Sequence, residues 1–242
     1  MTVKEIEKFR DTRLSEITKR GSKRNGNSVC REMAMLSKVF DLAIKKDYCE
    51  ENPVGKVEWP HQPNRRERFI TEEEESKIFK SLSGRYERLR PVFLLALYSG
   101  LRRGEIFALQ WRDVDFEKKN LRLRAETTKT SKGRNVPLIE PAFSILAKLK
   151  KSVDGEPHEK VFPFGASRAC ALFREILDHL GLIDVGLHVL RHTFATRGMR
   201  AGIHPLVMKD ILGHSTIDMT AYYSHTGRED LLREAKKLEK SV

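Results

Sequence analysis

Residues 114–139 read VDFEKKNLRLRAETTKTSKGRNVPLI, and their pattern decides the fold class. Leu121 and Leu123 alternate with charged neighbours, and Val136 and Leu138 repeat the same period of two. Successive side chains of a strand point to opposite faces, so this alternation predicts half-buried strands. Thr127–Gly133 lies between them as a polar, lysine-rich turn, which makes the strands part of a small antiparallel sheet. On either side the apolar residues return to helical spacings. The fold class that follows is mainly α with one small antiparallel β-sheet.

Working outward, Thr71-Glu72-Glu73-Glu74 has the spacing of a capping box ahead of Ile78 and Phe79. A helix is predicted around Pro91–Tyr98, with proline acceptable in its first turn, and another after Arg103. Beyond the sheet, helices are predicted at about 141–151, 167–180, 189–201, 204–212, 216–223 and 228–239. Near the start, Val3, Ile6 and Phe9 open one amphipathic stretch. A polar break with Gly21 and Gly26 follows, and then Val29, Met33, Leu36, Val39, Phe40 and Ala43 form a helical stripe with Asn27 or Ser28 as its N-cap. Pro53, Pro60 and Pro63, with Arg65 and Arg66, read as a linker, because proline fixes φ and removes a donor. The chain thus divides into a helical part over 1–55, a linker over 56–68 and a larger part over 69–242. The first part is small enough to have a thin core.

Composition narrows the partners. Of 242 residues, 46 are Lys or Arg and 34 are Asp or Glu, a net charge of +12. Such a surplus favours a polyanion, because each phosphate neutralised by a basic side chain releases a counterion. No apolar run approaches the roughly 18–20 residues that span a bilayer, so no membrane partner and a cytoplasmic location are expected. Cys30, Cys49 and Cys170 are odd in number and widely spaced, which argues against disulfides and zinc and fits a reducing compartment.

Five short segments carry chemistry: Tyr98-Ser-Gly-Leu-Arg-Arg-Gly-Glu-Ile106, Lys129-Thr-Ser-Lys-Gly-Arg-Asn-Val-Pro-Leu138, His188-Val-Leu-Arg191-His192, Leu212-Gly213-His214 and Ala221-Tyr222-Tyr223-Ser224-His225. Singly, each has an ordinary reading as solvated surface, soluble loop or packing. Together they supply what a phosphodiester transfer needs. Guanidinium groups match the non-bridging oxygens of a phosphate. A lysine can protonate a departing hydroxyl, a histidine can relay a proton, and a tyrosine can attack where positive charge stabilises its phenolate. No phosphate-binding G-x-x-x-x-G-K-[ST] loop and no clustered carboxylates for two-metal chemistry are present, so no cofactor and no metal are expected.

The order Arg…Lys…His-x-x-Arg…His…Tyr, with the local spellings G-L-R-x-x-E, H-x-L-R-H-T-F-A-T, L-G-H-S and Y-S-H, resembles the tyrosine recombinases and integrases. The resemblance is strong over about residues 68–227 and weaker over 1–55, where it implies part of a helical core-binding domain ahead of a DNA breaking-rejoining catalytic domain. It implies a site-specific recombinase that cuts and rejoins DNA through a 3′-phosphotyrosine. Carried over, Arg102 and Arg191 would clamp the phosphate, and Lys129 would be the general acid toward the 5′-hydroxyl. His188 would assist proton transfer, His214 would hydrogen-bond the phosphate, Tyr223 would be the nucleophile, and Glu105 would support the cluster by orienting a neighbour. Lys132 and Tyr222 remain alternatives to Lys129 and Tyr223; Arg103 reads as surface or a DNA contact, and His192 and His225 as structural or as support behind the catalytic groups, with His192 pointing elsewhere on the helix than its neighbour Arg191.

The implied partners are double-stranded DNA and further copies of the chain, as a homo-tetramer on paired sites, with room for an accessory directionality factor. Residues 1–55 are short for a whole core-binding domain, and no arm-binding domain precedes them, so a cut-down piece of a longer protein, a mobile-element remnant and a short natural variant all fit. Two other readings compete: a type IB topoisomerase-like relaxing enzyme, which shares the residue set, and a DNA-binding regulator without catalysis.

Overall fold

The structure is a computed structural model that describes residues 1–18, 21, 23–61, 68–128, 132–153 and 155–216. The chain divides between Arg66 and Glu67 into two compact units, each taken here by itself.

The first unit pairs α1 (Val3–Ser15) with α2 (Gly26–Lys45). Thr2 and Glu5 form a capping box at the start of α1. The cap of α2 is Asn25, whose side chain accepts from the Asn27 backbone N–H at 2.9 Å, two residues before the expected start. Gly26 lets the helix begin there, since a Cβ on it would stand 2.8 Å from the His61 carbonyl oxygen. Ile6, Val29, Met33, Val54 and Val57 make the core, with Leu36 and Phe40 against it. Val39 belongs to the predicted stripe yet is 59% exposed, because the inward line runs through 29, 33, 36 and 40. The unit runs past residue 55: a 3-10 turn over Pro53–Lys56 delivers Val57 into the core, and the Glu58 carbonyl accepts from Arg10 at 2.9 Å.

In the second unit the predicted capping box opens α3 (Glu72–Ser81), with the Glu74 backbone N–H on the Thr71 hydroxyl. The helix α4 (Arg90–Ser99) is apolar on every side and buried from Pro91 to Leu97, which makes it the central element. It packs on α6 (Ala142–Ser152) and α8 (Leu187–Arg200), with α5 (Arg103–Ala108), α7 (Ala166–His179) and α9 (Pro205–Leu212) completing the helical set among the described residues. The sheet has three antiparallel strands in the order β1 (Val114–Asp115), β2 (Asn120–Leu123) and β3 (Arg134–Pro137). Leu121 pairs with Val136, and Leu123 with Arg134. Leu121, Leu123 and Val136 are buried in the core beneath the sheet. The mainly helical fold with one small antiparallel sheet is therefore as the alternation predicted. The helices expected at 216–223 and 228–239 lie, apart from residue 216, outside the described residues.

The chain comes into this unit under restraint. Arg68 forks onto Glu74 at 2.7 and 2.9 Å and reaches Asp184 at 3.0 Å. The backbone N–H of buried Ile70 donates to the Thr193 hydroxyl at 3.0 Å, which in turn donates to the Val189 carbonyl at 2.8 Å.

Candidate active site

Two helix ends frame the site. The helix α4 stops at Gly100, at φ +64°, where a Cβ would meet Phe194 at 2.5 Å and Leu212 at 2.8 Å. The helix α9 stops at Gly213, at φ +65°, and His214 follows. Only glycine enters this left-handed region without strain, so both turns are fixed by residue type. After Gly100 the chain turns through Arg102 into α5, and Glu105, three residues on, returns its carboxylate to the Arg102 backbone N–H at 2.8 Å.

Helix ends leave carbonyls without intrahelical partners and carry partial negative charge. Here those carbonyls accept from arginines. The Ile211 carbonyl accepts from Arg134 Nε at 2.9 Å, Leu212 from Arg191 Nη2 at 2.8 Å, and Gly213 from Arg102 Nη2 at 2.6 Å. Arg191 also donates to the Gly100 carbonyl at 2.6 Å, bridging the ends of α4 and α9. Three successive carbonyls thus gather three guanidiniums from α5, β3 and α8 around the turn that presents His214.

Glu105 balances part of that charge. It is 2% exposed, takes Arg102 Nη1 at 3.0 Å and receives both terminal nitrogens of Arg134 at 2.8 Å. Burial alone would raise its pKa. The paired guanidinium of Arg134, followed by the Arg102 N–H and side chain, outweighs burial and holds the carboxyl below its ordinary value. Arg102, Arg134 and Arg191 against Glu105 leave a surplus of two positive charges, a setting for an anion. His214 is 8% exposed, and its pKa is pushed down to about 4 by burial first, then by the charges of Arg191, Arg102, His192 and Arg134. Near neutral pH it is an uncharged imidazole, able to hydrogen-bond a phosphate oxygen.

The structure brings together Arg102, Glu105, Arg191 and His214. His188 joins them through His192, whose ring stands edge-on to it at 4.3 Å between centroids. His192 stands one turn beyond His188, since residues four apart are neighbours on a helical face, and its charge is among those that act on His214. Lys129, Tyr223 and its rival Tyr222 lie outside the described residues. Lys132 is exposed, its backbone N–H and carbonyl both bonded to the Thr128 hydroxyl. The residue that the motifs did not single out is Arg134. Its signal was present, since it shares parity along β3 with buried Val136.

Among the described residues, no group of three or more His, Cys, Asp and Glu side chains is placed to hold a metal ion, and no helix is long and apolar enough to cross a membrane.

Residues 68–229 match the model of the phage integrase family. The shufflon-specific DNA recombinase of Escherichia coli is 32% identical over 228 residues, covering 93% of this chain and 58% of that protein. A XerC-like tyrosine recombinase of Caldanaerobacter subterraneus subsp. tengcongensis is also 32% identical, over 78% of this chain and 60% of its own length. The chain therefore spans somewhat under two thirds of these relatives. Among solved structures, the Tn1549 transposon integrase in complex with a circular intermediate DNA superposes with a TM-score of 0.78 over 98% of this chain and 85% of that one. At 19% identity, that likeness concerns the fold.

Proposed function

The chain belongs to the phage integrase family, and on that premise we propose that it is a site-specific DNA recombinase that cuts and rejoins strands through a 3′-phosphotyrosine on Tyr223. The observation that carries this reading is the seating of Arg102 and Arg191 on consecutive carbonyls of the turn that presents His214. Guanidiniums fixed before substrate arrives need no reorganisation when charge develops on the phosphorane.

In this reading Arg102 and Arg191 hold the non-bridging oxygens, and Tyr223 attacks phosphorus. The bond to the 5′-oxygen breaks as Lys129 protonates it, His188 assists the proton movement, and uncharged His214 bonds a phosphate oxygen. Glu105 keeps Arg102 in place. Attack by the freed 5′-hydroxyl of another strand reverses these steps and rejoins the DNA, because the phosphotyrosyl link keeps the energy of the broken ester. The partner is double-stranded DNA, a reading supported by the transposon integrase named above, which is in complex with a circular intermediate DNA. The chain acts in the cytoplasm as a homo-tetramer on paired sites, with the first unit as the core-binding domain and an accessory factor setting direction.

The test uses a pool of nicked duplexes with randomised core sequence, which traps covalent complexes when the short strand diffuses away. The expected result is a denaturation-resistant protein–DNA adduct that is lost in Tyr223→Phe and kept in Tyr222→Phe. An adduct that persists in Tyr223→Phe overturns the assignment of the nucleophile. Relaxation of plasmid without any preferred site would favour a topoisomerase instead.

A further inference from the structure

We propose that Arg134 is a positioning residue for strand transfer, binding Glu105 and the end of α9 at once so that Arg102 and the His214 turn are held in one geometry; the inference rests on the recombinase reading. Arg134 sits on β3, just past the lysine-rich turn, and its side chain is 10% exposed. All three guanidinium nitrogens are engaged. Nη1 and Nη2 lie parallel to the two carboxylate oxygens of Glu105, each at 2.8 Å, and Nε donates to the Ile211 carbonyl at 2.9 Å. The group also packs under Gly213, where a Cβ would come within 2.8–2.9 Å of three of its atoms.

Each contact bears on a residue of the proposed chemistry. By pairing with Glu105, Arg134 keeps that buried carboxylate ionised. The carboxylate in turn bonds Arg102 through both the backbone N–H and Nη1. By taking the Ile211 carbonyl and filling the space beneath Gly213, Arg134 holds the turn whose next two carbonyls seat Arg191 and Arg102. A planar fork with three nitrogens is needed to span a carboxylate pair and a carbonyl together. A lysine ammonium delivers the charge from a single atom and cannot hold both. Buried and turned toward Glu105, Arg134 is not itself a phosphate ligand.

The experiment compares unmutated protein with Arg134→Lys and Arg134→Ala at a temperature where melting curves show each variant folded. Dissociation constants for duplex DNA and first-order rates of covalent attachment on the nicked-duplex pool are read side by side. Arg134→Lys is expected to bind DNA within about threefold of the unmutated protein, because no phosphate contact is removed. Its attachment rate is expected to fall about 100-fold, the size of effect that an ångström of misplacement brings. Millimolar guanidinium is expected to raise the rate of Arg134→Ala, and methylammonium to leave it slow. An Arg134→Lys protein that attaches at the normal rate overturns the inference.

A crystal structure of Arg134→Lys supplies a readout that needs no activity. Arg102 is expected to leave the Gly213 carbonyl, and an unchanged Arg102–Gly213 bond overturns the inference as well. If the unmutated protein forms no adduct with any duplex, the recombinase reading fails, and the crystallographic comparison alone decides the role of Arg134.

Discussion

Replacing Gly213 by alanine tests how tightly the cluster is built. The backbone there has φ +65°, a region that costs an L-residue roughly 1–2 kcal/mol. The new Cβ would also stand 2.8 Å from Arg134 Nη1 and 2.9 Å from its Cζ and Nε. Ordinary contact needs about 3.5 Å or more, so the guanidinium must retreat by roughly 0.6 Å. It cannot do so freely, because the same group is held by Glu105 and the Ile211 carbonyl at 2.8–2.9 Å. Losing one charge-assisted hydrogen bond of that set costs about 1.5–3 kcal/mol. The total is about 2.5–5 kcal/mol, a fall in Tm of roughly 5–20 °C for a unit of this size.

Gly202→Ala is the internal control, since φ there is +86° and nothing lies within 4 Å of its would-be Cβ. It should show the backbone cost alone, roughly 1–2 kcal/mol. Calorimetry of the second unit in both variants isolates the Arg134 contact as the difference. Equal losses in Gly213→Ala and Gly202→Ala would refute the reasoning.

Four further outcomes are expected. Stability of the second unit should fall as pH drops from about 6.5 toward about 4, because the unfolded chain's His214 binds a proton that the buried ring does not. His214→Asn should flatten that limb in chemical denaturation curves. Glu105, with its folded pKa depressed, stabilises above its ordinary value of 4.5, and that contribution is lost as pH falls further through the folded value, a limb that Glu105→Gln should lack. Arg103, with Arg174 and His188, lines a cavity of about 450 Å³ whose lining, among the described residues, includes no acidic side chain. On the recombinase reading, Arg103→Gln should therefore lower the salt slope of DNA binding by about one, without changing sequence preference. An unchanged slope makes Arg103 plain surface. Thr193→Val should cost about 1–3 kcal/mol in urea melts, because the buried Ile70 N–H loses its acceptor, and a loss near zero would speak against that bond.

Much of the fold was legible because its signals are local. The Thr71–Glu74 capping box, the apolar run of α4 and the period-two residues around the hairpin each depend on neighbours in sequence. The misses came from contacts between distant residues. Asn25 caps α2 because a close carbonyl makes Gly26 a tolerable first residue, which no local preference reveals. Val39 fits a helical spacing but falls off the line that this small core can cover.

Within the site, Arg102, Glu105, Arg191 and His214 could be named from motif order. The seating of Arg134, Arg191 and Arg102 on the carbonyls of residues 211–213 could not, because it pairs positions 77, 21 and 111 apart in sequence. Arg134 is marked by no motif spacing; its parity with Val136 along β3 is the local sign that it points inward. His192, read as structural or supporting, stands one turn beyond His188, a relation that the four-residue spacing carries.

The Thr193 hydroxyl that receives the Ile70 N–H has a mechanical consequence. Thr193 lies two residues beyond Arg191 on α8, so the chain at Ile70 is fastened to the same rod that bears the Arg191 guanidinium. Tension on that stretch of the second unit is delivered to the rod rather than spent in a slack loop. A pull on residues 68–70 would therefore register at the turn that presents His214, because Arg191 holds the Leu212 carbonyl of that turn.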